Sequence, residues 1–201
     1  LFLSALRLPA AGGARSLVIP PLAAAPALDG DLNDPAWKSA ATLAPFQPYG
    51  NTAALTQQTE ARIGSTDEAL FIAFRCKEEK PDQLRRLSEK RDTDQWEDDS
   101  VEIFLDVQGT RNEQFLFIVN AAGSQYDARN RWPSNTEAEQ HDVTWNAEWT
   151  SAARTDEKRK EWTAEMRIPF KSLGVSAPTA ASKWALNFAR TRTPGVKELS
   201  T

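Results

Sequence analysis

The stretch Trp96-Glu97-Asp98-Asp99-Ser100-Val101-Glu102-Ile103-Phe104-Leu105-Asp106 decides how this chain is read. From Ser100 onward, Val101, Ile103 and Leu105 fall on one parity, and Ser100, Glu102 and Asp106 fall on the other. That period of two is the signature of a half-buried strand. Acidic residues are depleted in strands, so the mid-strand Glu102 either faces solvent or has a task. Trp96, six residues upstream, is close enough to stand beside the face that Glu102 decorates. An indole covers the C–H face of a sugar, and a fixed acceptor reads a hydroxyl, so this pair is what holding a sugar requires.

Similar segments recur on both sides. Residues 59–63 and 69–76 read as strands about a turn at Ser65-Thr66-Asp67-Glu68, and residues 114–120 pair back onto 100–106. Residues 124–129 continue that sheet, 130–142 read as a polar loop, 145–153 and 162–168 as a hairpin, and 184–191 as a last strand. Residues 16–19 are expected to form a first edge strand, stopped by Pro20-Pro21. Asp34 and Pro35 suit the cap and first position of a short helix through Trp37. Leu84 and Leu87 predict a second helix over 81–90, and Phe170 to Leu173 form one helical turn stopped by Gly174. Short strands punctuated by turns predict an all-β, antiparallel two-sheet β-sandwich with one or two short helices.

Composition narrows the function. The chain has 201 residues and 40% apolar content, enough for one large β domain. A net charge of -4 argues against a nucleic-acid partner. No run reaches the roughly 18 apolar residues of a membrane span. The single cysteine, Cys76, shares parity with Leu70, Ile72 and Phe74 and reads as a core residue. Residues 1–15, apolar and then rich in small residues, read as a leader or signal-peptide remnant, and residues 16–201 as the sandwich. The expected localisation is therefore exported: periplasmic, outer-membrane-associated or extracellular.

Several candidate sites were weighed. The lone histidine, His141, reads as a solvated loop residue and supports no catalytic triad. Asp29-Gly30-Asp31-Leu32-Asn33-Asp34 opens like a calcium loop but has Ala40 at the closing position, so a turn and helix cap is preferred. Calcium remains possible at Glu97, Asp98 and Asp99. Glu102 and Glu165, both mid-strand on polar parities, are the pair to test for glycoside hydrolysis. Trp37, Trp145, Trp149, Trp162 and Trp184 read as core, whereas Trp96 and Trp132 stand in polar contexts suited to stacking on a ligand.

Six ordered motifs carry a resemblance: Ala27 to Trp37, Ala69 to Phe74, Trp96 to Asp106, Phe117 to Gly123, Trp162 to Phe170, and Trp184 to Arg190. In this order they resemble the family 9 carbohydrate-binding module, within the DOMON-like group of jelly-roll sandwiches. The resemblance implies a non-catalytic domain that holds a glycan on a concave sheet face. Trp96 would stack on the sugar and Glu102 would accept its hydroxyls. Asp99 would orient the loop, and Asn187 and Arg190 would supply polar contacts from the last strand. An arginine expected in such modules aligns with Ile118, and a second clamping tryptophan would fall beyond Thr201, so the sandwich is expected to be truncated there. Related domains also suggest an alternative: a periplasmic interaction or plug domain at the N-terminus of an outer-membrane barrel, without a sugar ligand. Others in the group bind haem through methionine, but Met166 shares parity with Ala164 and Ile168 and reads as core. Carbohydrate and further domains of the same polypeptide are thus the expected partners.

Overall fold

The computed structural model describes residues 16–49, 54–132 and 140–201. The leader expected over 1–15 lies outside these residues. The described residues form two antiparallel sheets. The first contains β1 (Ala41–Leu43), β2 (Thr59–Ser65), β3 (Ala69–Lys77), β8 (Thr150–Asp156) and β9 (Glu161–Pro169), in the order β1-β2-β3-β9-β8. The second contains β4 (Ser100–Asp106), β5 (Glu113–Asn120), β6 (Gln125–Arg131), β7 (Gln140–Asp142), β10 (Ala185–Arg192) and β11 (Glu198–Ser200), in the order β11-β10-β4-β5-β6-β7. The all-β sandwich expected from the strand pattern is the fold observed.

Strand parity explains the layering. Val101, Ile103 and Leu105 of β4 meet Ile72, Phe74, Ala164, Met166 and Ile168 from the other sheet in one core. Cys76 is fully buried there, and burial pushes its thiol up to about 11, which makes it a packing residue rather than a nucleophile. Met166 is equally buried in that core. On the outward face of the first sheet, Ala69, Phe71 and Ala73 are covered by Leu22, Leu32 and Trp37 from the N-terminal segment. Asp34 caps the short 3-10 helix Pro35–Ser39 by accepting from the Ala36 N–H at 2.8 Å. This fixes Trp37, whose Nε1 donates to Glu165 at 2.8 Å. Glu165 also accepts the N–H groups of Asp29 and Gly30, at 3.1 and 2.8 Å. Gly30 is needed here: its φ is +78°, and a Cβ would lie 2.6 Å from the Cβ of Arg154.

Several local expectations are corrected. No strand forms over 16–19; the contact there is an isolated parallel bridge between Pro21 and Ser65. The helix expected over 81–90 is reduced to the 3-10 turn Pro81–Gln83. Asp99 accepts the Arg85 N–H, and Asp98 accepts those of Leu87 and Ser88, so these donors serve carboxylates instead of a helix. Leu84 is buried while Leu87 is exposed, so the pair shares no face. Trp145 and Trp149 precede β8 rather than lying in it, because Asp127 holds the crossing chain through Ala147 N–H and Trp149 Nε1, at 2.7 and 3.0 Å. The polar segment expected as a loop over 130–142 instead extends β6 to Arg131 and contributes β7; residues 133–139 lie outside the described set. The helical turn Phe170–Leu173 forms as expected and ends at Gly174 in the left-handed region, φ 68°. The short edge strands β1 and β11 were not anticipated.

Candidate functional site

Glu102 projects from the outward face of the six-stranded sheet. Its cross-strand neighbours are Ile118 on β5 and Ala189 on β10, and Ile118 pairs in turn with Tyr126 on β6. One row across the sheet therefore reads Tyr126, Ile118, Glu102, Ala189. The next row reads Ala128, Leu116, Phe104, Asn187. Phe104, Leu116, Ile118, Tyr126 and Ala128 form a separate apolar cluster on this face, and Trp96 and Ala189 pack against it. The sequence pattern of β4 hides this, because Phe104 stands on the parity that otherwise looks polar.

The loop before β4 puts Trp96 over the cluster. Its ring meets Tyr126 edge-on, with centroids 6.1 Å apart. Tyr126 is two strands from Glu102, roughly 10 Å at the usual strand spacing. Ile118, 1% exposed, lies between them in the row. Trp96 is half-buried, and its carbonyl accepts a hydrogen bond from Lys197 Nζ at 2.7 Å.

Glu102 is only 7% exposed, yet among the described residues its carboxylate accepts one hydrogen bond, from Thr191 Oγ1 at 3.2 Å. Burial pushes its carboxyl up to about 7, against the smaller downward pulls of the Thr191 hydroxyl and the Lys197 charge. It is a carboxylate with acceptor capacity to spare. Burial likewise pushes the Tyr126 hydroxyl up to about 12, helped by the charges of Asp94, Asp92 and Asp127.

The other residues singled out from sequence fall in different places. Asp99 is buried behind the site, where it accepts from Arg85 N–H and from the N–H and hydroxyl of Thr193. It ties the loop before β4 to the segment after β10. Asn187 shares the Glu102 face, and its Oδ1 accepts from Thr201 Oγ1 at 2.8 Å. Arg190 is a correction. It pairs with Val101, faces the core side, is 2% exposed, and donates to Lys77 O and Thr59 Oγ1 beside Glu78. It lies an odd number of positions along β10 from Asn187, which puts it on the opposite face of the sheet. Trp132 follows the far end of β6, half-buried, with its N–H donating to Asn112 O. His141, read as a loop residue, lies on β7 opposite Asn130; its Nε2 meets the Tyr126 hydroxyl at 2.9 Å.

Among the described residues, the candidate calcium ligands and the Glu102–Glu165 pair are not brought together for either role. Asp98 is engaged by Leu87 N–H, Ser88 N–H and Asn120 Nδ2, and Glu97 pairs with Arg85 and Lys197. In the 29–34 turn, Asp29 and Asp31 accept backbone N–H groups two residues on, as the turn-and-cap reading requires. Among the described residues no group of three or more His, Cys, Asp or Glu is placed to hold a metal. Glu102 and Glu165 point outward from different sheets. Packed sheets alone lie about 10 Å apart, so these two cannot flank one glycosidic bond.

The outward face of the six-stranded sheet of this β-sandwich thus brings together an indole, a phenol and a buried carboxylate. Residues 28–194 match the family described as carbohydrate family 9 binding domain-like, and the chain belongs to that family. No curated protein matches it. A family 9 carbohydrate-binding module from Caldicellulosiruptor kristjanssonii in complex with cellotriose is similar at TM-score 0.61 and 15% identity, covering 90% of this chain and 80% of that one. One from the same organism in complex with glucose gives 0.60 and 14%, covering 91% and 82%. A Bacteroides uniformis protein gives 0.63 and 16%, covering 81% and 77%. At these identities the likeness is one of fold.

Tyr126, Phe104, Thr191 and Lys197 were missed from sequence as members of this face. The parity of Phe104 against Glu102 was the available signal for an apolar floor. For Thr191 and Lys197 the pairing of β10 with β4 had to be known first.

Proposed function

We propose that this domain binds a carbohydrate on the outward face of the six-stranded sheet. The ring packs against Trp96 beside Glu102, with Asn187 at the margin. Trp96 buries the apolar side of the ring, and Glu102 accepts hydroxyl protons. The observation that carries the reading is Glu102 itself: a buried carboxylate with a single hydrogen bond among the described residues, on the face where Trp96 and Tyr126 pack. Such a group is costly when under-satisfied, and sugar hydroxyls are the donors that would satisfy it. The complexes of the similar Caldicellulosiruptor modules with cellotriose and glucose support a glycan as the ligand class. The domain holds its ligand without cleaving it.

The test is a glycan array followed by calorimetry on Trp96→Ala. Stacking on an aromatic ring contributes about 1–2 kcal/mol, so affinity should fall roughly five- to thirtyfold while the unfolding midpoint stays near that of the parent. If Trp96→Ala unfolds the domain, or binds as tightly as the parent, the reading fails.

A further inference from the structure

The Glu102 face is an unusual place for a carboxylate. Its neighbours across the strands are Ile118 and Ala189, and along its strand on the same face Ser100 and Phe104. Among the described residues no cation touches it. Lys197 acts on it through its charge, but the Lys197 Nζ is engaged by Trp96 O at 2.7 Å and faces Glu97 at 3.5 Å. Asp92 and Asp94 act on the adjacent Tyr126 hydroxyl, and both are negative. The two rings on this face, Trp96 and Tyr126, also present electron-rich surfaces that favour a cation.

A neutral hexose answers this site only in part, because its hydroxyls donate protons but bring no charge. An ammonium supplies three donors and a counter-charge in direct contact with the carboxylate. Hydrogen bonds between two charged groups are roughly twice as strong as neutral ones, and the partly buried setting screens them less than water would. The chain's net charge of -4 also favours encounter with a polycation. From this juxtaposition we infer that the face selects glycans bearing free amines: a glucosamine-type unit whose ammonium sits against Glu102 while its ring packs toward Trp96 and Tyr126. This rests on the reading that the face binds carbohydrate.

The experiment compares three trisaccharides by calorimetry with the whole chain at neutral pH: the glucosamine trimer, its fully N-acetylated form, and cellotriose. The glucosamine trimer should bind about tenfold tighter than either neutral sugar. Added salt should narrow that gap, and Glu102→Gln should abolish it. If cellotriose binds as tightly as the glucosamine trimer, or if the preference survives Glu102→Gln, the amine assignment is overturned while carbohydrate binding stands. If none of the three binds but the array returns another glycan, the amine assignment alone falls. If the array is also blank, both fall.

Discussion

Glu102→Gln should make the domain more stable in mild alkali and leave it unchanged in acid. The folded carboxyl titrates at about 7, above its ordinary value of 4.5. Below pH 4.5 the group is protonated in both the folded and unfolded states and contributes no difference. Between pH 4.5 and 7 the unfolded chain releases its proton while the folded chain keeps it, so the folded state binds more protons and stability falls as pH rises. A shift of about 2.5 units at 1.36 kcal/mol each gives a loss of about 3 kcal/mol, complete above pH 7. Glutamine carries no charge to desolvate and can still accept from Thr191 Oγ1, so the variant escapes this loss. Burial raises the carboxyls of Asp99, Asp127 and Glu165 too, and they give parent and variant alike a residual slope of the same sign. The informative quantity is therefore the difference between the two proteins. Urea unfolding followed by tryptophan fluorescence should give near-equal stabilities at pH 4 and a gap of up to about 3 kcal/mol at pH 8, in favour of the variant. A gap independent of pH, or a variant less stable at pH 8, would refute the reasoning.

Glu165→Ala should cost about 3 kcal/mol or more, read as a lowered urea midpoint, because Trp37 Nε1 and the N–H groups of Asp29 and Gly30 lose their acceptor. Glycan affinity of the folded fraction should not change. Arg190→Met should lower stability by about 2–4 kcal/mol by breaking a buried contact between the sheets, again without altering affinity; a loss of binding in a folded variant would return Arg190 to the site. Gly30→Ala should lower the unfolding midpoint, with a cost of about 1–3 kcal/mol, because the left-handed backbone and the Arg154 Cβ both oppose a side chain there.

The architecture was legible because its signal is periodic. Val101, Ile103 and Leu105 announce the core side of β4, and Leu70, Ile72 and Phe74 that of β3, without knowledge of any partner. The errors fall where a side chain overrides local propensity. Asp98 and Asp99 capture the backbone donors that residues 85–88 would have placed in a helix, and Asp127 holds the tryptophans ahead of β8. Those carboxylates lie 10 to 22 positions away in the chain, beyond the reach of a local pattern. The site was half legible for a related reason. Trp96 and Glu102 share one short segment, but Tyr126, Thr191 and Lys197 reach the face only through the pairing of β4 with its neighbours.

The two mid-strand glutamates show what separates structure from function on this scaffold. In sequence Glu102 and Glu165 are alike: each interrupts a strand on its polar parity, and in the fold each is buried on the outward face of its sheet. Glu165 accepts three protein donors, and the N-terminal segment that supplies them seals its face. Its burial is explained within the chain. Among the described residues Glu102 accepts one donor, Thr191 Oγ1, and its cross-strand neighbours Ile118 and Ala189 are apolar. Burial outweighs the Thr191 hydroxyl and the Lys197 charge, so the ionised carboxylate costs the folded domain about 3 kcal/mol above pH 7. Residues held against stability mark the places where a protein meets its ligand. Counting the donors that each buried carboxylate has among the described residues thus assigns Glu165 to the fold and supports the proposal that Glu102 meets a ligand.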